Sequence, residues 1–330
     1  MRQVELLIES WPLLEPFVIT GHTWTHCDVL VVTVTENGVT GRGEATGVYY
    51  LDETAESMCQ QVLSIQQKLE QGVSREQLQS LLPVGGARNA VDCALWDLEA
   101  KSSGQSIFSL TGIKSSFVNT VNTVTIDTPE EMAKKAAAIT AHQIKVKLDG
   151  EQPMQRIIAV CNARPDADIV VDVNEGWSFA QLVELAPQFK ALGIIMIEQP
   201  LPRGEDDALE AYQSPIMLCA DESCLDTSEL DQTARRYQMV NIKLDKTGGL
   251  TEALNLARQA KDKGMRIMVG NMTGTSLAMA PAYVIAQLCD FVDLDGALFL
   301  ASDRAYPMSY EQGVVSGLTP QLWEIGRAHV

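Results

Sequence analysis

The sequence predicts an α/β protein in which a barrel of parallel strands and helices follows a smaller α+β domain. Three observations carry that expectation. First, Asp172, Glu198 and Asp221 each stand just past a short apolar run, in DIVVDVNEGW, GIIMIEQPLP and SPIMLCADES. Their separation, about 25 residues each time, accommodates a strand, a helix and two loops, the repeat of a β/α unit. Second, the same stride finds QIKVKLD upstream and MVNIKLDKTGG, MRIMVGNMTGT and FVDLDGA downstream. Lys145, Lys147, Lys243, Asn271, Asp293 and Asp295 then fall at equivalent strand ends. The C-terminal strand ends of such a barrel open on one mouth, where catalytic groups gather. Third, from about residue 117 the pattern alternates strand and helix, with eight strand candidates and at most seven good crossover helices.

The elements follow in chain order. VELLIES reads as a first strand, and VLVVTVTE with VTGRGEA as a hairpin about Asn37-Gly38, a pair suited to a type I′ turn. Residues 16–28, PFVITGHTWTHCD, carry turn formers and an aromatic residue and read as a mobile loop, as does TGVYYLDET after the hairpin. Helices are expected at about 53–71, 74–81 after Ser74, and 87–102. In the last, Ala90 and Ala94 form a small packing face, and Asp97 with Lys101 a surface pair. VNTVTI is the first barrel strand. The helix after it opens with Asp127, Thr128 and Pro129, a cap followed by proline in the first turn. Further helices are expected near 152–162, 178–191, 205–213, 226–236, 250–263 and 275–288. The α+β domain spans 1–112 and the barrel 113–305, with 306–330 packing back on the first domain.

Composition narrows the function. With 25 basic and 43 acidic residues the net charge of −18 disfavours nucleic acid and anionic membranes as partners. The seven cysteines lie mostly in apolar runs without a CxxC, as expected of reduced thiols in a cytoplasmic protein. MRQVELLIESWPL lacks the apolar core of a signal peptide. GRGEAT misses the dinucleotide fingerprint at Thr46 and precedes no helix, and neither a Walker A sequence nor GxSxG occurs. All four histidines avoid the barrel strand ends, which argues against a zinc triad or a histidine base there.

A carboxylate site for a hard cation remains. Three carboxylates from adjacent strands suit Mg²⁺, which takes oxygen ligands and keeps positions for water or substrate, and Mn²⁺ could substitute. Lys145 and Lys147, two apart on one strand, share a face, and their mutual repulsion is expected to lower a pKa toward that of a general base. Lys243, four strands further round, reaches the centre from the opposite side. Two opposed bases can take a proton from one face of a carbon and return it to the other.

These blocks resemble the enolase superfamily, its muconate-lactonizing subgroup, and within it the dipeptide epimerases of L-Ala-D/L-Glu type. ARNAVDCALWDLEAKSSGQSIFSLTG is similar to the first family signature and VVDVNEGW through IEQP to the second. KVK, ADES and NIKLDKTGG are similar to the other active-site blocks. The resemblance covers nearly the whole chain. It implies an N-terminal α+β capping domain on a (β/α)₇β TIM-like barrel, with Asp172, Glu198 and Asp221 as Mg²⁺ ligands. It further implies Lys147 and Lys243 as acid/base lysines, Lys145 as their companion at the substrate carboxylate, and Asp293 and Asp295 as the DxD motif gripping a dipeptide ammonium. The implied reaction is Mg²⁺-dependent epimerisation of the C-terminal residue of an L-Ala-X dipeptide through an enediolate.

Rival readings are an L-Ala-D/L-Glu epimerase proper, a muconate cycloisomerase or o-succinylbenzoate synthase-like enzyme, and a non-catalytic metal- or ligand-binding barrel. A cycloisomerase or synthase would leave Asp293 and Asp295 without an ammonium partner. Glutamate-specific members of the family place an arginine in the first capping loop. This chain has no Lys or Arg between Arg2 and Arg42, and offers His22, Trp24 and His26 there, with Tyr49, Tyr50, Asp52 and Glu53 in the second loop. A neutral, apolar or cationic second residue is therefore expected, with Trp24 and Asn271 among the substrate contacts. A homo-oligomer is compatible with the sequence but not specified by it.

Overall fold

A computed structural model describes residues 2–316 and 318–324 of the chain. Strands β1 (Gln3–Ile19), β2 (His22–Glu36) and β3 (Val39–Thr46) form an antiparallel sheet in that order. Asn37 and Gly38 turn the second hairpin with φ of 51° and 81°, the positive pair that a type I′ turn needs.

Residues 16–28 are a correction to the expected loop. β1 and β2 pair through them, with Phe17 opposite Trp24, Val18 opposite Thr23 and Ile19 opposite His22, after a register shift between Pro12 and Phe17. Turn formers are confined to Thr20 and Gly21, where φ is 72°. The flanking aromatic and β-branched residues are strand formers that pair across the ribbon.

Helices α1 (Ala55–Glu70), α2 (Arg75–Leu78), α3 (Gly86–Ser103) and α4 (Ile107–Thr111) follow. Reciprocal capping boxes start α1 (Thr54 with Ser57) and α2 (Ser74 with Gln77). Helix α3 lies so close on β3 that a side chain at Gly43 would put its Cβ 2.1 Å from the Ala90 carbonyl oxygen. Two glycines in GRGEAT thus serve helix–sheet approach, with Ala90 and Ala94 as the small facing residues. The Asp97–Lys101 pair is present at 2.7 Å, but Asp97 is fully buried, contrary to the expected surface pair. Its carboxylate accepts from the Arg42 and Glu324 amides at 2.8 Å each, and Trp323 donates to the Cys93 carbonyl. Segment 319–324 is tied to α3 in this way.

The chain then runs β4 (Val118–Asn119), β5 (Asn122–Val124), α5 (Pro129–Ala138), β6 (Gln143–Lys147), α6 (Pro153–Ala163), β7 (Asp168–Asp172) and α7 (Phe179–Ala191). After β8 (Met196–Glu198) comes a 3₁₀ turn at Asp207–Ala211 where a helix was expected. Asp206, the residue ahead of that turn, spends its carboxylate on Arg236 and the Tyr237 hydroxyl, so no cap starts a longer helix. The remainder comprises β9 (Met217–Ala220), α8 (Leu230–Arg236), β10 (Met239–Ile242), α9 (Leu244–Thr247), α10 (Leu250–Asp262), β11 (Arg266–Val269), α11 (Ser276–Ala286) and β12 (Phe291–Val292). Strand β13 (Ser309–Glu311) pairs with β14 (Val314–Ser316), which in turn pairs with β4.

Strands β5 to β12 form one parallel sheet in sequential order. Its edges meet where the Val121 amide donates to the Val292 carbonyl, the Leu294 amide to Thr120 Oγ1, and the Thr123 amide to Asp295 Oδ2. Side chains alternate along every strand. Ile144, Val146, Val171 and Ile197 pack outward in the large helix-covered core, while Val170, Met196, Cys219, Met239, Met268 and Phe291 form a separate apolar cluster inside the ring. That inner cluster is the floor on which the polar strand ends stand.

The smaller domain lies over the barrel mouth through buried polar contacts. Glu44, fully buried on β3, accepts from the Thr275 amide at 2.8 Å and from Arg304 at 2.6 Å, and Arg304 also pairs with Glu9. Asp245 accepts from the Thr46 amide and from Asn89, and Arg88 donates to the Thr247 and Gly248 carbonyls.

Candidate active site

Period-two alternation carries four of the strands from the apolar floor to a carboxylate. Val170 is followed inside the ring by Asp172, Met196 by Glu198, Cys219 by Asp221, and Phe291 by Asp293. Strand β6 instead contributes Lys145 and Lys147 in succession. Lys243 follows β10 directly, four places round the ring from β6. The structure therefore brings together every barrel residue singled out from the sequence.

Lys145, 1% exposed, is the hub. Its Nζ lies 2.7 Å from Asp293 Oδ2, 2.8 Å from Glu198 Oε2 and 3.0 Å from Asp172 Oδ2. Lys147 donates to Asp172 Oδ2 at 2.6 Å and to Asn174 Oδ1 at 3.0 Å, and Lys243 to Asp221 Oδ2 at 2.6 Å. Asn271 donates to the Asp293 carbonyl at 2.6 Å.

Electrostatics correct the expectation of a lowered lysine pKa. Burial pushes Lys145 down, but Asp172, Asp293 and Glu198 override it and hold the ammonium charged well above the usual lysine range. For Lys243 burial is likewise outweighed, chiefly by Asp221. Three carboxylates at contact range outweigh one neighbouring ammonium. Burial also opposes ionisation of Asp172, yet Lys145, Lys147 and Lys243 hold it at about 2. Asp221 is held below the carboxylate range by Lys243 and Lys246 against the same burial. Glu198 is pushed up by burial and by Asp172, and Asp295 by burial and by Asp293.

The donor set fits a hard cation. Asp172, Glu198 and Asp221 come from adjacent strands, are fully buried and offer only oxygen. Glu198 Oε2 and Asp221 Oδ1 are each met by an ammonium, Lys145 Nζ at 2.8 Å and Lys246 Nζ at 2.7 Å, so these buried carboxylate oxygens already draw positive charge to themselves, the demand a cation would meet. As they stand, the lysine ammoniums lie against these oxygens. Among the described residues no three His, Cys, Asp or Glu side chains are disposed around an open point.

Over the mouth lies a cavity of about 350 Å³ whose lining joins both domains. Lys145, Lys147, Lys243, Asn174, Asn271, Asp293 and Asp295 reach it from the barrel, and Phe17, Trp24, His26 and Tyr49 from the smaller domain. Trp24 stacks with His22 at 5.3 Å and meets Tyr49 at 5.2 Å, while Phe17 packs on Phe299 at 4.7 Å. Asp28, Glu53 and Glu56 line it too, and its three cations are the barrel lysines.

Several site residues escaped the sequence reading. Asn174 and Glu222 sit inside VNEGW and ADES, and their only signal was proximity to Asp172 and Asp221. Lys246, in LDKTGG, lies 2.7 Å from Asp221 Oδ1 with no exposed surface. Phe299 follows the last strand, where periodicity is lost.

A family model described as Enolase C-terminal domain-like matches residues 127–314. Another, described as Mandelate racemase / muconate lactonizing enzyme, N-terminal domain, matches residues 1–112. The L-Ala-D/L-Glu epimerase of Escherichia coli (strain K12) is 44% identical, over 95% of this chain and 99% of its own. The N-acetyl-D-glutamate racemase of a Pseudoalteromonas species is 41% identical, over 91% of this chain and 96% of its own. Among solved structures, an enolase family member from Agrobacterium tumefaciens with homology to dipeptide epimerases, holding sodium and L-Ala-L-Glu, superposes with a TM-score of 0.96. It is 39% identical, and the match covers 98% of this chain and 100% of that one. The dipeptide epimerase from Cytophaga hutchinsonii, complexed with Mg and D-Ala-L-Val, gives 0.90 at 26% identity, covering 96% and 92%.

Proposed function

The chain belongs to the enolase superfamily, in the group of mandelate racemase and muconate lactonizing enzyme, and on that premise we propose that it is a dipeptide epimerase. It inverts the α-carbon of the C-terminal residue of an L-Ala-X dipeptide by 1,1-proton transfer. The observation that carries this reading is the placing of Lys147 and Lys243 on opposite sides of the ring, with carboxylates between them and an acidic pair on a further strand.

Asp172, Glu198 and Asp221 would hold Mg²⁺, or Mn²⁺ in its place. Bound there, the ion would supply positive charge for the enediolate dianion that the substrate's carboxylate group becomes when the α-proton leaves, and would draw off the carboxylates that keep Lys145 and Lys243 charged. Lys147 takes the α-proton of one epimer and Lys243 returns a proton to the other face, the two exchanging roles in reverse. Lys145 adds positive charge beside the carboxylate. Asp293 and Asp295 receive the dipeptide's ammonium, and Asn271 fixes Asp293 through its main chain. Trp24 packs against the substrate side chain. The cytoplasm is the proposed setting, where the seven cysteines, all unpaired, stay reduced. No described helix is long and apolar enough to cross a membrane.

The cavity's aromatic wall and its carboxylates support a neutral or apolar second residue. A second reading, an L-Ala-D/L-Glu epimerase proper, is favoured by the glutamate substrates in the relatives' names and by His26 on the cavity wall, which could pair with a carboxylate once protonated. Screening dipeptides for deuterium uptake from solvent tests the activity, with N-acetyl-D-glutamate as a further substrate. Uptake by N-acetylated compounds equal to that by free dipeptides would overturn the role given to Asp293 and Asp295. Values of kcat/KM for Ala-Phe, Ala-Leu, Ala-Lys and Ala-Glu then test the side chain, and a clear win for Ala-Glu selects the second reading.

A further inference from the structure

The two proposed bases are not held alike. Lys243 donates to one side chain, Asp221. Lys147 donates to two, and of these Asp172 Oδ2 is shared with Lys145 at 3.0 Å. The partner that belongs to Lys147 alone is Asn174 Oδ1, at 3.0 Å. Asn174 is itself fixed. Its Nδ2 donates to Glu222 Oε1 at 3.1 Å, and its φ of 44° lies in the left-handed region, a conformation that side chains other than glycine, asparagine and aspartate adopt at a cost. Lys147 donates whether charged or neutral, so the Asn174 amide turns its oxygen to Lys147 and its nitrogen to Glu222. Glu222 is 1% exposed, and among the described residues the hydrogen bond from Asn174 is the one its side chain makes.

We propose that Asn174, braced by Glu222, is a positioning residue for Lys147 and not for Lys243, so that the two halves of the proton transfer depend on different supports. The inference rests on the two-base reading above. It does not pass through the cation, because the contact of residue 174 with Asp172 is made by its backbone amide, at 3.1 Å.

Asn174→Gly removes the side chain while suiting the positive φ, so folding and that backbone contact are kept. A loosened base loses its aim at the α-carbon, and misplacement of this kind costs roughly tenfold or more in rate. Epimerisation should fall by about that factor in both directions, as reversibility demands. Deuterium exchange without inversion separates the two bases: it should fall about tenfold for the epimer facing Lys147 and stay within about twofold for the epimer facing Lys243. Calorimetric Mg²⁺ affinity should be unchanged, because the Asn174 side chain bonds Lys147 and Glu222 and only its backbone amide reaches Asp172. Asn174→Asp combined with Glu222→Gln, which keeps an acceptor for Lys147 and a donor facing it from residue 222, should recover part of the loss, and Glu222→Ala should reproduce the asymmetry in weaker form. Equal losses of exchange for both epimers, or no loss for either, would overturn the proposal. The unaltered enzyme is run first: exchange there with neither epimer of any dipeptide would instead sink the epimerase reading, and this inference with it.

Discussion

Asp221 is met by two lysines inside the barrel, Lys243 and Lys246. Asp221→Asn should lower kcat by roughly 10² or more and weaken Mg²⁺ binding in calorimetry; full activity in excess chelator with no residual metal would refute the metal requirement. For the proposed bases, Lys147→Ala should abolish α-hydrogen exchange from one epimer and Lys243→Ala from the other. Unaltered exchange in both variants would end the two-base assignment. The lysines and carboxylates were legible because each closes an apolar run at a repeating interval. Their charge states were not. The sequence set Lys145 beside Lys147, but the barrel curls Asp293 and Glu198 round to Lys145, and those partners lie far away along the chain. Asn174 and Glu222 were hidden for a related reason, since an amide beside a metal-ligand motif has no periodicity to mark it.

Among the elements, β3 and α3 share the contact between the domains. Glu44 accepts from Arg304 and from Thr275, and truncating it would leave Thr275 without its carboxylate partner and Arg304 with that of Glu9 alone. Glu44→Ala should therefore cost about 3 kcal/mol or more in urea unfolding, whereas Glu44→Gln, which keeps an acceptor, should cost less. An unchanged denaturation midpoint for Glu44→Ala would show that the contact does not contribute. The barrel helices were readable from amphipathic spacing and caps, and Thr128 indeed caps α5, accepting from the Glu131 amide. The β1–β2 ribbon was misread because its glycine and threonines resembled a loop. Strand pairing depends on the partner, and Phe17 meets Trp24 only once the chain has doubled back.

At the scale of the whole molecule, the joint between the domains also stores a pH dependence. Burial pushes Asp245 up to about 7 and Asp92 up to about 6, from the ordinary aspartate value of 3.8. Between the lower and upper values the folded protein binds more protons than the unfolded chain, so these two groups make stability fall as pH rises through that window. Asp245→Asn should flatten the slope of the urea midpoint between pH 5 and pH 7, and an unchanged slope would exclude Asp245 as its source. The barrel's seam has a different consequence, for descent. The Thr123 amide, on the first strand of the ring, is satisfied by Asp295 Oδ2, at 2.6 Å from the last. A carboxylate proposed to hold a substrate's ammonium is thus also a latch on the cylinder. A lineage that changed its substrate would still need that latch, so the acidic pair can outlive the ligand it once gripped. In such descendants the motif would record ancestry and architecture, and the present substrate would have to be read from the aromatic ribbon over the mouth.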